Sequence, residues 1–290
     1  MTRLQQIHQF ERINRKFELR FEPKVYAALN AVRKHVVRLL KDKGYSAAQY
    51  YLTTNVGNPR IRAVIREIYV SVGRRWAQIE YSRLLPEMRN QKQQKGFGFN
   101  YQWTEFILKY LERYLFEKVT FEIARTTQDA MLKVISRGIA AGWSIDQTVD
   151  RLEEWPFLRY QAARIVRTET NRAANVGSTA QAETSEYEQM KEWQSAEDHR
   201  VRGKNPKDHA DHVALDGVKI NAGDVFHDPR NGDQLQFPGD PLASAASVIN
   251  CRCHASYTFK RDQAGNLIPK RKTTVVIFPG QIRQRQTVTI

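Results

Sequence analysis

Two cysteines and a group of histidines near the C-terminal end are the side chains best suited to chemistry. Cys251 and Cys253 lie two positions apart, and His199, His209 and His212 precede them. Thiolates and imidazoles are the ligands that tetrahedral zinc prefers, and a Cys/His pair can also act in nucleophilic catalysis. The spacing alone supports zinc only weakly, and no helix N-terminus or nucleophile elbow is visible to activate a thiol. We therefore expect no metal, no cofactor and two small buried core cysteines, with zinc at His212, Cys251 and Cys253 as the alternative.

A second concentration of polar side chains lies between Arg167 and Gly177. Arg167 and Glu169 stand close to small residues there, which indicates a tightly packed helix whose polar groups are hydrogen-bonded to another part of the chain. We expect these charges to anchor the later part of the protein, with an active-site role as the alternative. No Walker A motif, dinucleotide glycine fingerprint or His-Glu-x-x-His motif occurs, so nucleotide-driven motors and zinc proteases lack their usual signatures.

The charge is distributed unevenly along the chain. The 290 residues carry a net charge of +15, of which residues 1–100 contribute +13, residues 101–256 contribute −4 and residues 257–290 contribute +6. Basic ends around a near-neutral body are typical of a protein that meets a polyanion or an acidic partner, with simple solubility as the alternative. Sequence-independent contacts to DNA, or contacts to an acidic protein surface, are expected from Arg33, Lys34, Arg38, Lys41, Arg60, Arg62, Arg66, Arg74 and Arg75.

Composition excludes several classes of protein. The apolar runs are only a few residues long, whereas a helix that crosses a bilayer needs about 18. The polar N-terminal sequence predicts no secretory signal. Two cysteines do not make the framework of a disulfide-stapled secreted domain, so a reducing compartment is expected.

Hydrophobic spacing predicts helices for most of the first 188 residues. Apolar residues recur every three or four positions from Lys24 to Lys43, and again from the helix start at Asn58-Pro59 as far as Leu85. Residues 90–100 lack this period and form the predicted linker.

The central helices have recognisable start and stop signals. One long helix or two abutting helices should end at Gly138 or Gly142, and Ser144 should begin the next helix through a capping box. That helix should stop before Pro156, and a further helix is predicted from Phe157 to about Ala180.

Helical period disappears after residue 190. Asp216-Gly217 predicts a two-residue hairpin turn between strands at residues 213–215 and 218–220. The alternation from Cys251 to Lys260 predicts a half-buried strand with both thiols on its inner face.

These elements predict an α+β fold that is predominantly helical. A basic helical region at 1–95 and a central helical region at 100–188 should be followed by a small α+β module at 189–260 and an extended basic C-terminal arm at 261–290. The arm's alternating residues suit the addition of a strand to a neighbouring subunit.

Several of these residues occur in an order that resembles a known family. The sequence contains, in order, Arg167-Thr168-Glu169, Asn175-x-Gly177, Trp193, Asp198-x-Arg200-x-Arg202, His212-x-x-x-Asp216-Gly217, Pro238-Gly239-Asp240-Pro241 and Asn250-Cys251-Arg252-Cys253. This order resembles the phage Mu protein F-like, or head morphogenesis, proteins, which are minor head proteins of tailed bacteriophages. The resemblance covers about residues 130–257. The chain departs from the family at Val248-Ile249, where a proline is common, and in the additional His209.

The resemblance implies a virion protein inside the phage head, made in the host cytoplasm, that acts in head morphogenesis and genome delivery. Its implied partners are the phage portal protein and packaged DNA, with a scaffold or major capsid protein as further candidates and no membrane. It implies no catalytic residues. A role in holding the C-terminal module together is expected for Arg167, Glu169, Asp198, Arg200, His212, Asp216, Gly217, Asn250, Cys251 and Cys253.

The sequence leaves two other functions open. One is a metal-assisted or Cys/His-dependent hydrolase, either a nuclease or a toxin-like enzyme, that uses the C-terminal histidines and cysteines. The other is a host DNA-binding protein unrelated to phage, which the lack of helix-turn-helix or zinc-finger spacing disfavours.

Overall fold

The first half of the protein is built from long helices. The computed structural model describes residues 2–54, 58–89, 99–114, 118–154 and 156–270. Six helices precede any strand, namely α1 Arg3–Thr54, α2 Pro59–Arg89, α3 Phe99–Tyr114, α4 Lys118–Ala140, α5 Ile145–Glu153 and α6 Phe157–Thr184. A small C-terminal sheet follows, so the α+β and mainly helical fold class is confirmed.

Two of the predicted helix starts are confirmed by side-chain caps. The Asn58 side chain accepts hydrogen bonds from the backbone N–H groups of Arg60 and Ile61, both at 3.1 Å. Ser144 and Gln147 form the predicted capping box at the start of α5. Side-chain oxygens satisfy N–H groups that have no partner within a helix, and this is why these residues begin helices.

The predicted helix at residues 24–43 is part of α1, which starts earlier, at Arg3, and has Pro23 inside it. Gly44, with φ of 75° and ψ of −172°, is non-helical, so two helical stretches meet there at a kink and the predicted end at Lys43 coincides with this break. The buried residues of α1 extend from Ile7 to Leu52, so both stretches pack against the core. Residues 90–98 of the predicted linker lie outside the described residues.

Helix α6 lies at the centre of the molecule. Every residue from Thr168 to Ser178 is buried, because α6 packs against α1, α2, α3 and the sheet. One continuous apolar core runs through all six helices and includes Tyr257 of the last strand. A helix covered on all sides must place its polar residues against partners, and this determines the arrangement of the motif residues.

The described C-terminal part contains five strands and two single-turn helices, namely β1 Gln189–Gln194, α7 His212–Leu215, β2 Lys219–Asn221, β3 Phe226–His227, β4 Gln234–Leu235, α8 Ala245–Val248 and β5 His254–Phe259. Three of the strands form an antiparallel sheet of order β2-β1-β5, and β3 and β4 form a separate two-stranded ladder.

Strand β5 is buried on both faces, so the prediction of a half-buried strand starting at Cys251 is wrong. The hydroxyl of Tyr257 lies 2.9 Å from Thr179 of α6. On the opposite face, His254 stacks on Phe10 of α1 with ring centroids 4.4 Å apart. The polar face predicted to meet water is covered by the start of α1, a contact between residues more than 200 positions apart.

The predicted hairpin around Asp216-Gly217 is also wrong, although Gly217 does form a turn with φ of 78°. The segment before it is the helical turn α7, because Asp211 accepts a hydrogen bond from the N–H of Ala214 at 3.0 Å. Strand β2 pairs instead with β1, so that Lys191 lies opposite Ile220.

The first residues of the predicted arm fold back on the body. Leu267 is buried, and the backbone N–H of Lys270 donates to the carbonyl of Glu186 at 2.7 Å. Residues 261–270 thus differ from an extended arm, while residues 271–290 lie outside the described part. The four domain boundaries remain predictions. None of the described helices has the length and apolarity needed to span a membrane.

Candidate functional site around His212, Cys251 and Cys253

The structure brings His212, Cys251 and Cys253 together. The Nδ1 atom of His212 lies 3.7 Å from the sulfur of Cys251 and 3.6 Å from that of Cys253. The three side chains are 1%, 2% and 3% exposed. They form the one group of close metal-ligand atoms among the described residues, with all atoms within 4.8 Å of one another.

The two cysteines differ in acidity. A hydrogen bond from the Cys253 thiol stabilises a Cys251 thiolate, and together with the nearby His212 it holds the pKa of Cys251 well below its usual range. The same hydrogen bond and burial raise the pKa of Cys253. The geometry therefore favours one thiolate and one thiol beside an imidazole.

Aromatic packing and backbone contacts fix the imidazole. Trp193 of β1 contacts the His212 ring edge-on with centroids 5.0 Å apart, and Phe226 contacts Trp193 at 5.2 Å. The backbone N–H of His212 donates to the carbonyl of Arg202 at 3.0 Å. The Nε2 atom of His212 is buried without a hydrogen-bond partner in the described part of the chain.

Asn250 joins the cysteine segment to α6. Its backbone N–H donates to the Thr168 hydroxyl at 3.0 Å, and its side-chain oxygen accepts from Arg167 at 3.5 Å. Asn250 has φ of 59°, a left-handed conformation that asparagine tolerates better than most residues. This bend turns the chain so that Cys251 and Cys253 both point towards His212.

Asp198 and Arg252 form a two-pronged ion pair between the loop after β1 and the cysteine segment. Their nitrogen and oxygen atoms lie 2.5 and 2.6 Å apart, and Arg200 adds a third contact at 3.1 Å. Hydrogen bonds from Arg252 hold the pKa of Asp198 well below its usual range. The arginines that Asp198 contacts are therefore Arg252 and Arg200.

Asp216 ties the same loop to the start of α1. It accepts a hydrogen bond from the backbone N–H of Ser195 at 2.7 Å and another from the Arg3 guanidinium. Burial opposes the charge on Asp216, but these two donors outweigh burial and lower its pKa. The N-terminal segment is thus part of the structure around the site.

Glu169 belongs to a fully buried network that sequence reasoning only partly identified. It accepts hydrogen bonds from Arg172 at 2.9 and 3.0 Å and from the Tyr69 hydroxyl at 2.8 Å. Arg172 also donates to the carbonyl of Gly239 at 2.6 Å. Burial opposes the charge on Arg172, but the attraction of the Glu169 carboxylate is stronger than this effect and raises the pKa of Arg172. Burial also raises the pKa of the Tyr69 hydroxyl.

The remaining histidines do not join the cluster. His199 and His209 are exposed, and neither belongs to a group of close ligand atoms in the part of the chain that is described. The hydrolase alternative therefore loses two of its candidate side chains.

The basic residues of the N-terminal region are mostly on the surface. Arg33 is half-buried and donates to the backbone carbonyls of Leu152 and Glu153 at 3.3 and 2.9 Å, so it connects α1 to the end of α5. The other eight predicted contact residues are exposed, and these are Lys34, Arg38, Lys41, Arg60, Arg62, Arg66, Arg74 and Arg75. Lys34, Arg38 and Lys41 share one side of α1 because they are spaced by four and three positions.

Fold and site together define an α+β protein whose helical core holds a small module with a buried Cys₂His cluster. Residues 129–256, less than half of the chain, match the model of the Phage Mu protein F like protein family, and this match supports the assignment of that part of the chain to the family. The match begins within α4 and ends within β5, and it includes all ten predicted motif residues.

One relative was found among curated proteins. The Bacillus subtilis (strain 168) protein named Uncharacterized protein YqbB is 27% identical over 128 residues, which is 44% of this chain and 40% of the relative. The chain therefore matches less than half of that relative's length. None of the solved structures matches the chain significantly.

Proposed function

We propose that this protein is a minor head protein of a tailed bacteriophage, which binds the portal vertex and packaged DNA inside the head. In that position it acts in head morphogenesis and genome delivery. The basic residues of α1 and α2 contact DNA, and the portal protein is the principal protein partner. The protein assembles in the host cytoplasm before it becomes part of the virion.

The observation that carries this proposal is the exposure of eight basic side chains on α1 and α2 in a chain whose later part is phage Mu protein F-like. Exposed Lys and Arg side chains contact phosphates without reading base sequence, as a protein that faces packaged DNA requires. The first 100 residues carry +13, so the charge is concentrated in the part of the chain that contains these helices.

The contacts of the motif residues support a structural role. Arg167, Asp198, Asp216, Asn250 and Glu169 all make hydrogen bonds or ion pairs within the chain. The contact of Glu169 with Tyr69 joins α6 to α2, and the contacts of Asp198 and Asn250 join the cysteine segment to other parts of the chain.

The portal part of the proposal is tested by purifying the full chain together with the portal protein of the same phage. We expect co-elution with portal oligomers and detection of the chain in purified particles by mass spectrometry. A chain that elutes separately from assembled portals and is missing from particles would contradict the proposal.

A further inference from the structure

We propose that His212, Cys251 and Cys253 bind one divalent metal ion of the zinc class, through the Nδ1 atom of the imidazole and the two sulfur atoms. The ion cross-links α7 to the segment that leads into β5. This inference does not depend on the proposed role in the phage head.

The distances from the imidazole nitrogen to the two sulfurs fit a tetrahedral ion. Zinc binds sulfur at about 2.3 Å and imidazole nitrogen at about 2.0–2.1 Å, which places the two ligand atoms about 3.6 Å apart at a tetrahedral angle. The two observed distances from Nδ1 are 3.6 and 3.7 Å. Both sulfurs therefore already have the separation from nitrogen that a shared ion requires.

A hydrogen-bonding explanation accounts for these contacts less well. An imidazole nitrogen has one lone pair or one hydrogen, so it can form one good hydrogen bond in the ring plane. Here two sulfurs approach the same Nδ1 at nearly equal distances. A single ion on that lone pair satisfies the nitrogen and both sulfurs together.

The surroundings of the cluster suit a structural ion. The ligands are buried, and the small apolar cluster around them includes Trp193, Leu215, Phe226, Leu235 and Val248. This core is separate from the large helical one, and it supports strands of two or three residues and helices of a single turn. Modules with so little core commonly depend on a metal or a disulfide, and Cys251 and Cys253 are free thiols in this structure.

Three side chains supply ligand atoms among the described residues, so the fourth coordination position of the ion is left to a small ligand such as water.

The first test measures metal in the full-length protein, purified with its thiols reduced and without chelators. We expect about one zinc ion per chain by elemental analysis. Cobalt substitution should give the near-ultraviolet absorption of thiolate-to-cobalt charge transfer together with the visible bands of a tetrahedral ion. Fully reduced, folded protein that takes up neither zinc nor cobalt would overturn the proposal.

Variants locate the ion. Cys253→Ser and Cys251→Ser should each lose most of the bound zinc and weaken the charge-transfer band, whereas His209→Ala, an exposed histidine of the same module, should keep both. If a cysteine variant fails to fold, His212→Cys provides a second measurement, because a third thiolate should retain cobalt and strengthen the charge-transfer band. Equal metal content in Cys253→Ser and His209→Ala would place the ion elsewhere and overturn the assignment.

Discussion

The side-chain oxygen of Asn175 in α6 accepts a 2.9 Å hydrogen bond from the backbone N–H of Ala255 in β5. The Asn175 amide also donates to the backbone carbonyls of Asn171 and Cys253, at 3.0 and 3.3 Å. A single buried side chain thus satisfies backbone groups of both the helix and the strand, and it holds the sheet against the central helix.

Replacement of Asn175 by alanine should destabilise the protein by about 1–3 kcal/mol, because a buried backbone N–H loses its acceptor. Urea denaturation of the full chain measures this loss. Asn171→Ala is the matched control, since Asn171 lies one turn away and its side-chain nitrogen and oxygen have no partner among the described residues. A loss as large in Asn171→Ala as in Asn175→Ala would contradict the role of this hydrogen bond.

Gly177 allows α6 to pack directly on α2. A Cβ atom at Gly177 would lie 2.1 Å from the carbonyl oxygen of Gly73, which is backbone and cannot rotate away. Gly177→Ala should therefore cost about 3 kcal/mol or more in the free energy of unfolding. At Gly73 the nearest atom to a new Cβ is the flexible end of Ile107, at 2.8 Å. Thermal unfolding should show a smaller loss for Gly73→Ala, and the reverse order would count against this packing.

Removing one charge of the buried Glu169–Arg172 ion pair should lower the stability of the protein. Glu169→Gln leaves the Arg172 charge unpaired in the core, and we expect a loss of about 3–5 kcal/mol. Glu183→Gln, at a half-buried glutamate of the same helix, is the control for the loss of a carboxylate. The double variant Glu169→Gln, Arg172→Met should be more stable than Glu169→Gln alone, as measured by chemical denaturation. Additive losses would indicate that the two charges do not interact.

The Asp198–Arg252 ion pair should make stability depend on pH. The folded pKa of Asp198 lies below its ordinary value of about 3.9. The pair therefore contributes fully above pH 4, and its contribution is lost as the pH falls below that value, because the unfolded chain binds the proton first. Comparing urea denaturation at pH 7 and pH 3, we expect a smaller loss in Asp198→Asn than in the unmodified protein. Arg252→Gln should reduce the loss similarly, and an unchanged pH dependence in both variants would refute the pairing.

The helices could be predicted from local signals, and the errors came from long-range packing. The caps at Asn58 and Ser144 depend on neighbouring residues and were found correctly. The start of α1 was missed because the helix continues through Pro23 to Arg3, whereas the predicted end at Lys43 coincides with the break at Gly44. The second buried face of β5 depends on the N-terminal part of α1, which no local pattern indicates.

At the candidate site, residue types could be predicted but partners could not. The sequence identified Asp198 as an anchor, yet its partner Arg252 follows 54 positions later. Tyr69 was missed because it occupies an apolar stripe and its hydroxyl meets Glu169 100 positions away. In the sequence, Gly177 was only one small residue of a motif. The close approach of the Gly73 backbone, which leaves no space for a side chain at position 177, explains why glycine occupies this position.

The most direct test of the proposed function is the affinity of the full chain for double-stranded DNA as a function of salt. We expect binding that weakens steeply as salt rises, because phosphate contacts displace counterions. Changing Lys34, Arg38, Arg66 and Arg74 to glutamine should weaken binding and flatten its salt dependence. Changing the exposed Lys133 and Arg137 of α4 to glutamine serves as the control and should alter binding little. No binding at low salt, or equal effects of the two sets, would contradict DNA contact by α1 and α2.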